Sequence, residues 1–453
     1  MKKIKIGVIG LGQRGYSMIR DVILAFDDVE VAAVCDEYDD RIEKAASLIF
    51  EKSGVDAFRT SDYRELIEKS GVDAIYIASA WESHVEIAIY AIERGVIAGI
   101  EVGGAYSIEE CYALVRAYEK YGTPVMFMEN CCYGKEELLA TAMARAGKFG
   151  EIVYCHGSYG HDLRKEVARG NIDRHYRLRN YMARNCENYP THELGPIAKL
   201  LGINRGNRFV SLVSVASKSA GMRDYINARP ELIRSDSSLA DAKFNQGDIV
   251  NTIITCENGE QILLRLDTTL PRSYDREFTV RGTKGYYSQT TNSVFFDGDK
   301  EYYNAPRFIR ETLNNAERFE NEFLPDVWKD ITDEAKSVAH GGMDGIMFRA
   351  FLNCIISGEP MPIDVYDAAA WMSVTALSAQ SIAQGGAPQA CPDFTRGKYI
   401  LREMKDVITY MPINQKGPSS KSESTTTING HVTSFEETYY YDIKKESDTN
   451  IET

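Results

Sequence analysis

No cysteine pair in this sequence stands at redox or zinc spacing. The nine cysteines, Cys35, Cys111, Cys131, Cys132, Cys155, Cys186, Cys256, Cys354 and Cys391, are scattered without a C-x-x-C. That excludes a zinc-ribbon or thioredoxin-type reading and points to reduced thiols. Basic runs are missing as well, and the formal net charge is −14. Sequence-independent nucleic-acid binding needs a basic surface, so it is excluded. No apolar run reaches the length of a membrane span, and no membrane partner is expected. The first strand pattern starts almost at Met1, which leaves no room for a signal peptide; the expected location is cytoplasmic. No internal repeat is visible, and no Cys/His spacing suggests a metal, so none is expected.

What is present begins at once. Lys3 to Ile9 alternates and then turns fully apolar, as a buried parallel strand does. The loop Gly10-Leu11-Gly12-Gln13-Arg14-Gly15 follows, then a helical pattern with Met18, Ile19, Val22, Ile23 and Phe26 on one face. A second apolar strand, Val29 to Cys35, ends in Asp36. Strand, G-x-G-x-x-G, helix, strand and acid together predict a dinucleotide site. Gly10 permits the tight turn, Gly12 lets backbone approach a pyrophosphate, and Gly15 lets helix and strand pack closely. The helix start offers free N–H groups to phosphate. Asp36 is suited to accept from a ribose diol and repels a 2′-phosphate, which favours NAD over NADP, although Arg41 stands nearby.

Helix and strand patterns alternate to about residue 130, which predicts an α/β, doubly wound Rossmann domain over 1–130. Groups just past the strand ends should line one crevice with the glycine loop. Trp81, His84, Glu101 and Asn130 are the cofactor-binding candidates there, with Leu11, Gln13 and Arg14 in the loop itself. Beyond 150 the strands shorten and hairpin signals such as Glu257-Asn258-Gly259 appear. These predict an α+β substrate domain over 131–412 with a largely antiparallel sheet, whose exposed face offers a surface for a second copy. Residues 413–453 are polar, apart from Tyr439-Tyr440-Tyr441, and read as a weakly ordered tail.

Reactive side chains concentrate in Ser158 to Arg164, in Asn188 to Pro196 and in His340 to Asp344. Beside a nicotinamide these runs suggest a polyol pocket. The chain resembles the glucose–fructose oxidoreductase / inositol dehydrogenase (Gfo/Idh/MocA) superfamily in its N-terminal half. More specifically, the run Glu129 to Gly134, Tyr159 through Arg164, Tyr189-Pro190-Thr191-His192 with Leu194-Gly195-Pro196, Asp267-Thr268 with Leu270-Pro271-Arg272, and His340 through Asp344 resemble glycoside hydrolase family 109. Those are NAD-dependent α-N-acetylgalactosaminidases.

The resemblance implies a hydride loan. NAD takes hydride from C3 of the sugar, the C2 proton leaves beside the new ketone, the aglycone is eliminated, water adds at C1, and the hydride returns. His192, Tyr189 and Tyr159 are the proton-handling candidates. His161, Arg164, Arg177 and Asp344 are the expected hydroxyl or acetamido contacts. Dehydrogenases of the superfamily usually carry Glu-Lys-Pro where this chain has Glu101-Val102-Gly103. The lysine is missing, as it is in the glycosidase branch, whereas Gly103 and Glu193 depart from that branch too. A net sugar or cyclitol dehydrogenase is the alternative, and a sugar sensor without catalysis is the third reading.

Overall fold

Six short apolar segments pair into one parallel sheet in the computed structural model, which describes residues 3–299, 310–329 and 340–410. They are β1 (Ile4–Ile9), β2 (Val29–Cys35), β3 (Phe58–Thr60), β4 (Ala74–Ile77), β5 (Ile97–Glu101) and β6 (Val125–Met128), in the order β3-β2-β1-β4-β5-β6. This is the doubly wound arrangement expected, and its crevice opens where the order reverses beside β1. The connecting helices are α1 (Gln13–Ser17), α2 (Asp39–Ser53), α3 (Tyr63–Lys69), α4 (His84–Glu93) and α5 (Ile108–Tyr121). A reciprocal cap between Ser107 and Glu110 starts α5, and Gly122 ends it at φ +74. The helix after the glycine loop is not uniform. It widens to π winding over Met18–Val22 and tightens to 3-10 winding over Ile23–Ala25. The apolar face still does its work, because Met18, Ile19, Val22, Ile23 and Phe26 are all buried.

The second sheet has eight strands: β7 (Ile152–Gly160), β8 (Phe209–Ala216), β9 (Ile249–Cys256), β10 (Gln261–Asp267), β11 (Thr279–Gly282), β12 (Gly285–Ser288), β13 (Ser293–Phe296) and β14 (Gln389–Ala390). Their order is β13-β12-β11-β7-β10-β9-β8-β14. The central pair β7 and β10 is parallel, and the other pairings are antiparallel. Around it lie α6 (Lys135–Arg145), α7 (Arg164–Ala168), α8 (Arg177–Ala183), α9 (Thr191–Leu200), α10 (Gly221–Asn227), α11 (Pro230–Ser235), α12 (Met343–Ser357) and α13 (Val365–Ala383). The C-terminal helices return to the first sheet. Phe348 of α12 meets Phe26 and Tyr76, and Trp371 of α13 packs edge-on against Phe127 of β6. The polar tail expected over 413–453, with Tyr439-Tyr440-Tyr441, lies outside the described residues.

Candidate active site

The glycine loop fits a dinucleotide by the room it leaves. Gly10 has φ +90, and a Cβ there would stand 2.4 Å from the Ser79 amide nitrogen. A Cβ at Gly15 would stand 1.9 Å from the Gly10 carbonyl oxygen. Both positions therefore require glycine. Beside Gly12 the nearest atom to such a Cβ is Arg41 Nη1 at 3.6 Å, so the backbone is open to a ligand. Asp36 sits at the end of β2, where its carboxylate accepts from the amides of Leu11 at 2.6 Å and Tyr38 at 3.1 Å. The remaining lone pairs are available to a ribose diol.

Arg14 turns away from the loop backbone into a buried ion cluster. It donates to Glu101 at 2.9 Å and, through two nitrogens, to Asp344 at 2.6 and 2.9 Å. Glu101 also accepts from the Tyr76 hydroxyl and the Val102 amide. Burial would lower the Arg14 pKa, but Asp344 and Glu101 outweigh it and hold the guanidinium charged. Burial would raise Asp344, but Arg14 and His340 hold its carboxyl well below the usual range. Asp344 also accepts from Asn130 at 2.8 Å. Asp344, expected as a substrate contact, thus has its carboxylate beside the glycine loop's Arg14 and the strand-end Asn130. His84 is buried, and its Nε2 lies 2.9 Å from the Ser79 carbonyl. That contact ties its ring to the loop after β4.

The proton-handling candidates do come together. Tyr189 precedes α9, and His192 lies in its first turn. The side chains meet across that entry turn, with the Tyr189 hydroxyl 3.4 Å from His192 Nε2. Tyr159, at the end of β7, has its ring 4.6 Å from that of Tyr189 and 5.6 Å from that of His192. Its hydroxyl lies 3.2 Å from His161 Nδ1. Trp81 stacks on Tyr189 at 5.4 Å, which joins the loop after β4 to this group.

Glu129 completes it. Its carboxylate is fully buried at the end of β6 and lies 2.7 Å from His192 Nδ1. A carboxylate can only accept, so Nδ1 donates and Nε2 keeps its lone pair toward Tyr189. Burial pushes Glu129 up, but the contact with His192 outweighs it and holds the carboxyl below its ordinary value. Sequence reasoning placed Glu129 at a strand end without assigning it a role. The signal was weak because its partner is 63 positions away. Glu129, Cys131 and His192 also offer three ligand atoms within 4.8 Å of one another. Two of the three already satisfy each other, and burial with the nearby Glu129 keeps the Cys131 thiol protonated, so we read the group as an oriented histidine.

Burial pushes the Tyr159 and Tyr189 hydroxyls well above the ordinary phenol range, against the pull of Arg177. Their resting form is the neutral phenol. Burial also pushes His161 down to about 4, so it is neutral. Arg177 pairs with Glu166 at 2.8 Å and covers the rings of Tyr189 and Trp81 at 5.1 and 5.5 Å. Its Nε and the Trp81 Nε1 are buried donors without a partner among the described residues, which suits a polar ligand between them. Arg164 is paired with Asp162 at 2.6 Å and lies over the Tyr225 ring. Gly103 is explained by Trp81, because a Cβ there would stand 2.6 Å from the indole Cδ1.

The fold and these groups define an NAD-binding Rossmann enzyme of the Gfo/Idh/MocA type, and residues 4–129 match the family described as "Oxidoreductase family, NAD-binding Rossmann fold". Residues 133–401 match "Glycosyl hydrolase 109, C-terminal domain", and the chain belongs to glycosyl hydrolase family 109. It is 34% identical to a glycosyl hydrolase family 109 protein of Stenotrophomonas maltophilia over 89% of this chain and 91% of that one. It is 33% identical to an alpha-N-acetylgalactosaminidase of Tannerella forsythia over 88% of each chain. Among solved structures, an inositol dehydrogenase homologue complexed with NAD+ from Azotobacter vinelandii superposes with a TM-score of 0.59 at 18% identity, covering 86% of this chain and 97% of that one. An oxidoreductase from Agrobacterium radiobacter in complex with NAD+, L-tartaric acid and magnesium gives 0.60 at 17%, covering 86% and 98%. Both share the fold. No helix among the described residues is long and apolar enough to cross a membrane.

Proposed function

We propose that this enzyme cleaves α-N-acetylgalactosaminides or related glycosides by transient oxidation at C3, elimination, water addition and re-reduction. The observation that carries the reading is the Glu129–His192–Tyr189 chain of contacts beside a β5 end with no lysine. The relative in Tannerella forsythia named alpha-N-acetylgalactosaminidase supports the substrate class.

NAD, held by the glycine loop and Asp36, supplies a reversible hydride acceptor. The side chains supply the rest. Val102 has no group that exchanges a proton, so the base must come from the second sheet's side. His192 is that base, because Glu129 fixes its Nδ1–H and leaves Nε2 to accept. Tyr189 lies on the Nε2 side and can pass a proton between His192 and the sugar. Tyr159 and Tyr189, as neutral phenols, donate to sugar oxygens and steady the one that becomes a carbonyl. Once the hydroxyl proton has passed through Tyr189 to solvent, His192 takes the C2 proton beside that carbonyl; C1=C2 forms, the C1–oxygen bond breaks, and the proton leaves on the aglycone oxygen. When water adds at C1, the same groups return what they took. In this reading His161 and the Nε of Arg177, which has no partner among the described residues, bind the hydroxyl or acetamido groups.

The deciding assay incubates the purified protein with nitrophenyl α-N-acetylgalactosaminide and no added cofactor. Nitrophenol release without accumulation of NADH is expected. Stoichiometric NADH from free sugars, with no aglycone release, would sink the proposal in favour of a net dehydrogenase.

A further inference from the structure

Residues 169–184 cross from the second sheet to the carboxyl edge of the first and touch it at three separate places. Beyond β2, Arg174 makes a two-pronged ion pair with Asp40 at 2.7 and 2.8 Å, and Arg41 donates to the carbonyls of Asp173 at 3.0 Å and Arg174 at 3.3 Å. Arg174 and Arg41 both stand over the Tyr38 ring, at 4.3 and 4.8 Å from its centre. Beyond β4, Tyr176 packs on Trp81 at 4.8 Å and Arg179 donates to Glu82 at 2.5 Å. Beyond β5, Tyr106 bonds Asn180, and Arg184 donates to the Ala105 carbonyl at 3.3 Å.

In the sheet order, β1 lies between β2 and β4. A segment anchored beyond β2, β4 and β5 therefore passes across the glycine loop that follows β1. The Arg41 guanidinium lies 3.6 Å from the position of a Cβ on Gly12, which puts the first anchor directly at that loop. The anchors run from the Asp36 end of the crevice, where a ribose is expected, to Trp81 at the Tyr189 end. The first anchor holds Arg174 in a left-handed conformation at φ +54, which a non-glycine residue adopts only where its surroundings enforce it. Its ion pair is open to water, with the Asp40 side chain 66% exposed, and such pairs break readily.

We propose that residues 169–184 are a strap over bound NAD, and that Asp40, Arg41, Asp173 and Arg174 form its clasp. The clasp sets how long NAD stays. The inference rests on the reading that one NAD serves many turnovers, because slow release suits a cofactor that is regenerated in place. It adds which residues enclose it and where they open.

The test measures release of radiolabelled NAD from the loaded, full-length protein by timed desalting, which needs no glycoside. Arg174→Asn is the informative variant, because asparagine tolerates a positive φ. Release severalfold faster is expected, because the variant loses both prongs of the pair with Asp40 and the contact with the Tyr38 ring. The exchanged pair Asp40→Arg with Arg174→Asp should restore slow release. Lys69→Ala removes an exposed ion pair with Glu65 within α3 and should leave release as in the unmodified protein. Equal release from Arg174→Asn and the unmodified protein would overturn the strap, and so would release complete within the dead time from the unmodified protein. Slow, clasp-dependent release with no glycosidase activity would uphold the strap and remove the glycosidase reading alone.

Discussion

At the scale of single residues, Glu129 is the addition that matters most. Its local contact, the Cys131 amide, reads only as a cap, whereas the distant one, His192, lets it decide which nitrogen of that ring carries the proton. Glu129→Gln keeps the shape but permits the wrong tautomer. We expect kcat to fall about 10²-fold or more with KM little changed, as loss of positioned acid–base catalysis does, measured with a nitrophenyl glycoside. His192→Ala should lose at least as much, and unchanged activity in either variant would remove the assignment. Gly103 carries a second residue-scale expectation. An alanine Cβ would press on Trp81 at 2.6 Å, and such overpacking costs about 1–3 kcal/mol. Urea unfolding of Gly103→Ala, with a shift in indole emission, checks it.

At the scale of elements, α9 reaches the sheet through a pair of buried acids. Glu193 accepts from the Arg265 amide of β10 at 3.0 Å, and Gly157 of β7 makes room, since a Cβ there would stand 2.6 Å from the Glu193 carbonyl oxygen. Glu193 thus fills a site where the resembled family has glycine. Burial, and for Glu193 also the neighbouring Glu187, push both acids well above the ordinary carboxyl value of 4.5. The folded state prefers their neutral forms, while the unfolded chain ionises near that ordinary value. Stability is therefore fullest below it and declines as pH rises from there through neutrality. Glu187→Gln should flatten this decline, with a larger gain in Tm at pH 8 than at pH 5. Parallel Tm–pH curves for the variant and the original would show that the pair does not titrate in this way.

At the scale of the whole molecule, the second sheet has one face packed under helices and one with apolar side chains turned outward. Register places Val213, Ile253 and Leu263 in one row across β8, β9 and β10. Val215 and Ile253 are 52% and 42% exposed. This is the face on which the sequence leads to the expectation of a second copy. Light scattering should report a dimer, and Val215→Lys with Ile253→Lys should yield a monomer of unchanged far-UV spectrum. A monomer before substitution would reject that expectation.

Local pattern alone determined five of the six Rossmann strands, the glycine loop, Asp36 and the long helices, because period and glycine demand are properties of neighbouring residues. Short elements such as β3, β12, α7 and α8 escaped, since so few residues show no period. Tyr159, Tyr189 and His192 were legible as chemistry, and Tyr189 and His192 as neighbours, three positions apart. Only the tertiary structure put Glu129 behind the histidine, moved Asp344 beside Arg14, and carried residues 169–184 over the glycine loop. Each of those contacts joins groups tens to hundreds of positions apart. Their distances are set by how two sheets pack, which no local spacing encodes.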